Sequence, residues 1–305
     1  MTTLTIDFDV IPNLAGKRVI ITGASSGIGL AAATIFQQKG AWVLNLDTNP
    51  PLEGTAAGIE YRKCDVSNWK SLKEAFAYAG TVDIAVSNAG ISETTDFVAE
   101  AFDGDFETLQ ELEYRVLDVN LRAVINFTRL ALNHFHNRKY PGSIVITSSA
   151  TAYAPEQSLP VYSASKLALI GFIRALRSSI RLQGITINAV APAATITNLL
   201  PPHLAAPIIA AGLPISTAEF VGLALVYSAT ANQSGIVELY GKDAPELLTA
   251  ESRWHGQTIL TLGHKYTELD GPIASLRPQW FGDENTTLTG LQQASTDFRT
   301  GAALL

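Results

Sequence analysis

The chain has 305 residues, 47% hydrophobic and only 16% charged, which excludes disorder as a description of the whole and provides ample apolar surface for a core. Its net charge of −7 and the absence of any basic run argue against a nucleic-acid partner. A single cysteine, Cys64, precludes an intrachain disulfide and fits a reducing, cytoplasmic setting, while five scattered histidines without a Cys-x-x-Cys pair give a structural zinc site nothing to build it.

The first sixteen residues carry Asp7 and Asp9 but no lysine or arginine, which fits neither a signal nor a transit peptide. Short β-branched runs then alternate with longer helical patterns. Strands are expected at 18–22, 42–46, 59–63, 83–87, 143–147, 185–190 and 235–240, and helices near 27–39, 68–79, 106–137, 161–182 and 217–229. Several strands are apolar throughout, as happens when helices cover both faces of a parallel sheet. The pattern predicts one doubly wound α/β domain over residues 1–241, with a seven-stranded parallel sheet flanked by helices. Residues 242–305 read as a C-terminal extension, with one possible helix at 245–261 and a polar, irregular tail. The least polar stretch, 182–218, is broken by five prolines, so no membrane span is expected.

Chemistry concentrates at strand ends. The first long strand runs directly into Thr22-Gly23-Ala24-Ser25-Ser26-Gly27-Ile28-Gly29 and then into a helix. Glycines there let the backbone turn and approach a pyrophosphate, whose charge a helix N-terminus favours. Asp47 ends the next strand, twenty residues beyond Gly27. A carboxylate at that place binds ribose hydroxyls and repels a 2′-phosphate, so NAD is expected over NADP. Asp65-Val66 and Asn88-Ala89-Gly90 follow the third and fourth strands, at the carboxyl ends where open sheets bind ligands. Ser149 follows the fifth, and Tyr162 and Lys166 lie four apart on one face of the next helix. A phenol with a pKa of about 10 is a poor base, but a lysine ammonium and an oxidised nicotinamide nearby would favour the phenolate and lower that pKa. The tyrosine–lysine spacing alone is unspecific; the serine thirteen residues earlier singles it out.

These residues together closely resemble the short-chain dehydrogenase/reductase family. TGASSGIG (22–29), DV (65–66), NAG (88–90), Asn120 within LDVNL, Ser149 and YSASK (162–166) match its motifs in order and spacing over about residues 15–241. The resemblance implies a Rossmann domain and a catalytic tetrad of Asn120, Ser149, Tyr162 and Lys166. It also implies that Lys166 binds the nicotinamide ribose, that Asn120 holds a relay water, and that Gly23, Ser25, Ser26, Gly27, Ile28, Gly29, Asp65, Val66, Asn88, Ala89 and Gly90 hold the cofactor. Thr197 keeps the place of the family threonine that contacts the carboxamide, and Thr195 shares its loop. The family's Pro-Gly is here Pro192-Ala193, and its usual Asp-Gly-Gly ending is replaced by Leu239-Tyr240-Gly241.

Residues 182–218 contain no lysine, arginine, aspartate or glutamate. In the family the part after Pro192 covers the substrate, so an uncharged, lipophilic alcohol or ketone is expected. Tyr153 is a second candidate for the pocket wall, and His203 reads as a surface residue. A non-redox cyclase or lyase on the same scaffold and a cofactor-sensing binding protein are the alternatives; the intact tetrad argues against the last. The family also implies a homodimer or homotetramer paired through the helices near 106–137 and 161–182.

Overall fold

The computed structural model describes residues 2–54, 57–111 and 113–299. Its strands in chain order are β1 (Thr3–Leu4), β2 (Arg18–Thr22), β3 (Trp42–Asp47), β4 (Glu60–Lys63), β5 (Ile84–Ser87), β6 (Ser143–Thr147), β7 (Thr186–Pro192), β8 (Asn232–Ser234), β9 (Glu251–Arg253), β10 (Thr258–Leu262) and β11 (Lys265–Glu268). Among the described residues, nine strands form one sheet in the order β1-β11-β10-β7-β6-β5-β2-β3-β4, and β8 pairs with β9 separately. The seven from β10 to β4 are parallel; β11 and β1 close one edge antiparallel.

The first helices are α1 (Gly27–Gln38), α2 (Trp69–Ala79), α3 (Phe97–Ala101) and α4 (Arg115–Leu117), followed by a π-turn (Asp118–Arg122) that leads into α5 (Ala123–Arg138). Then come α6 (Pro160–Arg181), α7 (Pro202–Ala210), α8 (Ala218–Thr230), α9 (Asp270–Ser275), α10 (Arg277–Phe281) and α11 (Asp283–Ser295). None is long and apolar enough to cross a membrane, among the described residues.

Strand periodicity divides the core. Ile20, Leu44, Leu46, Ile144 and Ile146 point into a layer shared with Phe127, Leu169 and Ile173 of α5 and α6. Their neighbours Val19, Ile21, Val43 and Val145 point the other way, against Ala32, Phe36, Val221 and Leu225 of α1 and α8. Each such fully buried side chain contributes about 1.5–3 kcal/mol, so a helix on each face follows from the sequence of the strands. Helices α1 and α8 approach closely at Gly222, where an added Cβ would lie 2.8 Å from the Ala32 nitrogen. Sheet order reverses between β2 and β5, which opens a cleft at their carboxyl ends.

Three sequence expectations need correction. Residues 235–240 are not a strand; the seventh parallel strand is β10, inside the segment read as a helix at 245–261. Both runs are β-branched and apolar, and the difference lies at Gly235, whose φ of +77° turns the chain away under Leu248. The sheet therefore extends past Gly241, and β11 continues it with β1 as its partner. The tail is not irregular either: beyond β11 it forms α9–α11. Its polar residues dock on α6, through Arg174–Asp270 at 2.8 Å and Arg181–Asp243 at 2.8 Å. The helix expected from residue 106 begins only at Arg115 and passes through the π-turn before α5.

Candidate active site

The glycine turn between β2 and α1 is shaped by backbone crowding. Gly23 has φ +68°, and a Cβ there would lie 2.8 Å from Ala89 Cα. A Cβ on Gly29 would lie 2.1 Å from the Gly23 carbonyl oxygen. Neither place admits a side chain, so the turn packs flat against residues 88–90. The Ser26 side chain makes no cap hydrogen bond, leaving the first N–H groups of α1 free of it. Ser26, Gly27 and Ile28 line the cleft at this helix start, the arrangement that holds a phosphate.

Polar residues of the neighbouring strand ends brace the same wall. Asp47 accepts hydrogen bonds from Ser25 N–H and Asn49 N–H, each at 3.1 Å, and also lines the cleft. Asn88 donates to the Gly23 and Thr22 carbonyls at 3.1 and 3.2 Å and accepts the Thr147 hydroxyl at 3.0 Å. Ser25 is buried: its hydroxyl donates to the Asn49 carbonyl at 2.6 Å and accepts from Asn45 at 2.9 Å.

The second wall carries the titratable groups. Ser149 is buried just past β6, and its Oγ accepts the Thr151 N–H at 3.1 Å. Tyr162 and Lys166 project from successive turns of α6, with Lys166 Nζ 5.6 Å from the centre of the Tyr162 ring. That ammonium is buried, donates to the Thr147 carbonyl at 3.0 Å, and has its pKa pulled down to about 8 by desolvation. Burial raises the Tyr162 phenol above its usual value, and a hydrogen bond with Ser149 works in the opposite direction. The expected lowering of that pKa is thus not a property of the protein alone. Asn120 sits on the π-turn, buried, and its amide takes the Ile91 N–H at 2.9 Å and gives to the Ile91 carbonyl at 2.8 Å. A Cβ on Gly90 would lie 3.3 Å from Asn120 Oδ1 and 3.5 Å from Lys166 Nζ, so both groups converge on one point.

A cleft of about 770 Å³ joins the two walls. It is lined by Gly23, Ser26, Gly27, Ile28, Asp47, Asp65, Val66, Asn88, Ala89, Gly90, Ser149, Tyr162, Lys166, Pro192, Thr195 and Thr197, which are most of the residues expected from sequence. Ser25, Gly29 and Asn120 stand behind the wall rather than in it. Ala193 carries no strain, since Lys139 is the one non-glycine residue with positive φ among those described. From the uncharged segment, Asn198, Leu199 and Leu200 reach the cleft; His203 is exposed at the start of α7 and does not. Tyr153 does not line it either; it packs into the core beneath, where burial pushes its phenol up to about 12. Sequence reasoning missed Arg115, Glu156, Leu159 and Ala154, which line the same cleft from surface loops and short turns. Lone residues on such segments carry no periodic signal.

Comparison with known proteins agrees with this geometry. The family described as short chain dehydrogenase matches residues 17–206. Over 300 residues the chain is 54% identical to the short-chain dehydrogenase/reductase prx4 of Penicillium rubens, covering 98% of this chain and 90% of the relative. It is 46% identical over 311 residues to the short-chain dehydrogenase/reductase ATR7 of Stachybotrys chlorohalonatus, covering 100% and 97%. Among solved structures, the 3-ketoacyl-(acyl-carrier-protein) reductase of Brucella melitensis with NADH superposes with a TM-score of 0.64 over 82% of this chain and 98% of that one. At 23% identity that likeness speaks for the fold alone. The glycine turn, the serine, tyrosine and lysine in one cleft, and relatives matched over 90% or more of their length lead to one assignment: the chain belongs to the short-chain dehydrogenase/reductase family, oxidoreductases that work with NAD(P).

Proposed function

We propose that the protein interconverts a lipophilic, uncharged secondary alcohol and its ketone, with NAD preferred over NADP. The observation that carries this reading is the meeting of Ser149, Tyr162 and Lys166 in one cleft with the glycine turn. The residues present fit the dinucleotide, because the turn at Gly23 and Gly29 leaves no room for any Cβ and the first N–H groups of α1 are open to a pyrophosphate. Ser26, Gly27 and Ile28 would hold the phosphates, Asp47 the adenosine ribose, Asp65 and Val66 the adenine, and Asn88, Ala89 and Gly90 the adenosine side. Lys166, Pro192, Thr195 and Thr197 would hold the nicotinamide end. The bound cofactor supplies the hydride acceptor or donor.

Tyr162 exchanges the hydroxyl proton of the alcohol and Ser149 holds the substrate oxygen beside it. Lys166, whose ammonium lies 5.6 Å from the centre of the Tyr162 ring, would favour the phenolate form of that phenol by its charge. Asn120 locks Ile91, and through it the segment that carries Gly90 toward Lys166. Leu159, Leu199 and Leu200 supply apolar surface at the substrate end, which supports an uncharged ligand, although Arg115 and Glu156 line the same cleft. Changing Tyr162 to Phe removes the hydroxyl and little else. It is expected to lower kcat by about 10²–10⁴-fold with NADH affinity retained, and a variant keeping more than half of wild-type kcat contradicts the mechanism.

The outer face of α6 presents Ala164, Leu167, Ala168, Gly171 and Ala175 to solvent without a charge, which supports pairing of two copies as a homodimer or within a homotetramer. A monomer mass by light scattering at micromolar protein contradicts that. The one cysteine, Cys64, is buried and free, in keeping with a cytoplasmic location.

A further inference from the structure

The first turn of α6 lacks a local cap. Leu159 at the N-cap offers no side-chain acceptor, and Pro160 at the first helical position has no N–H. The next two donors, Val161 N–H and Tyr162 N–H, both go to one carboxylate far away in sequence. Glu93 Oε1 accepts the first at 3.2 Å and Glu93 Oε2 the second at 2.7 Å. Such charge-assisted bonds at the positive end of a helix are among the stronger ones a carboxylate makes.

Glu93 belongs to the segment that leaves Gly90, and it does not itself line the cleft. That segment is held at its other end by Asn120, which bonds the Ile91 N–H and carbonyl at 2.9 and 2.8 Å. Asn120 and Tyr162 are therefore joined by a strut of three residues, Ile91-Ser92-Glu93. Lys166 is fixed independently, on the Thr147 carbonyl at 3.0 Å. If the first turn of α6 tilts, the phenol moves while the ammonium and Ser149 stay. Catalysis by positioned groups is sensitive to such shifts: a misplacement of about 1 Å can cost on the order of 100-fold.

We propose that Glu93 is a positioning residue, which clamps the start of α6 so that the Tyr162 hydroxyl meets Ser149 and Lys166. The proposal rests on Tyr162 being the acid/base of the reaction. Its test compares wild type with Glu93→Ala, Glu93→Gln and Tyr162→Phe, using NAD⁺ and 1-decalol, with NADH affinity by fluorescence titration and Tm measured alongside. Glu93→Ala is expected to lower kcat by about 10- to 100-fold while KM and NADH affinity hold. Glu93→Gln is expected to recover part of the loss, because its amide oxygen still accepts one of the two N–H groups. Wild-type kcat in both Glu93 variants overturns the proposal. Parallel loss of kcat, NADH affinity and Tm, with Gln no better than Ala, also overturns it, because Glu93 then serves only the fold. Should Glu93→Ala fail to fold, Glu93→Gln decides by the same criteria. An inactive Tyr162→Phe beside fully active Glu93 variants removes this proposal alone, whereas an active Tyr162→Phe removes the acid/base reading and this proposal with it.

Discussion

The two ends of the cleft are built differently. The dinucleotide end is made of main chain: a glycine turn, the start of α1, and strand ends whose polar side chains brace one another, as Asn88 braces Gly23 and Thr22. The substrate end is made of side chains on exposed connections, with Leu199 46% exposed and Arg115 on the surface. Backbone shape tolerates no substitution where a Cβ has no room. A side-chain wall can be rewritten residue by residue, so under the proposed function the first end would hold the cofactor and the second would select what is oxidised or reduced.

Substitutions at three places test that contrast. Gly29→Ala strikes the main-chain end, since its Cβ would press on the Gly23 carbonyl at 2.1 Å. Overpacking of this kind costs about 1–3 kcal/mol, and the part of it borne by the cofactor-holding turn is expected to lower NADH affinity by up to about 150-fold in a titration. Leu200→Asp strikes the substrate end, where the half-buried leucine lines the cleft. An unpaired carboxylate there is expected to raise KM for a hydrophobic alcohol by roughly 10-fold while NADH affinity stays put, and Leu199→Asp, being more exposed, should do less. Unchanged KM in both would move the substrate wall to Thr151, Ala154 and Glu156. The smallest effect is expected at Asp47. Because its carboxylate also accepts the Ser25 and Asn49 N–H groups, Asp47→Asn is a gentler probe than Asp47→Ala. Removing a charge about 4 Å from a 2′-phosphate is worth roughly 1 kcal/mol, narrowing the NAD over NADP preference by roughly fivefold. Tighter NADP binding by the wild type would mean that Asp47 does not meet the ribose.

The same contrast explains what the sequence made legible. Six of the seven parallel strands and the helices that cover them follow from periodicity, since the alternation of Val19, Ile20 and Ile21 between two layers leaves little choice. The seventh is not where periodicity puts it: residues 235–240 carry the β-branched signal, but Gly235 has a φ of +77° and β10 pairs with β7 instead. At the site, motif residues landed in the cleft wherever their backbone or side chain faces it. Gly29 and Asn120 act from behind it, one by making room and the other by holding Ile91. Tyr153 has a helical spacing from Ser149 yet turns into the core, because the chain after Ser149 makes only a short turn (Ala150–Ala152) before leaving the wall. Arg115, Glu156 and Glu93 sit singly on connections, where only the folded chain shows what they face.

The most direct test of the account is the absorbance of reduced nicotinamide after wild-type protein is mixed with NAD⁺ and a panel of hydrophobic secondary alcohols, with hydroxy acids and phosphorylated alcohols of similar size as competitors. NADH formation with the uncharged lipophilic members, at lower KM than with any charged one, is the expected result. No reduction of NAD⁺ by any uncharged alcohol, or turnover confined to the charged compounds, would contradict it.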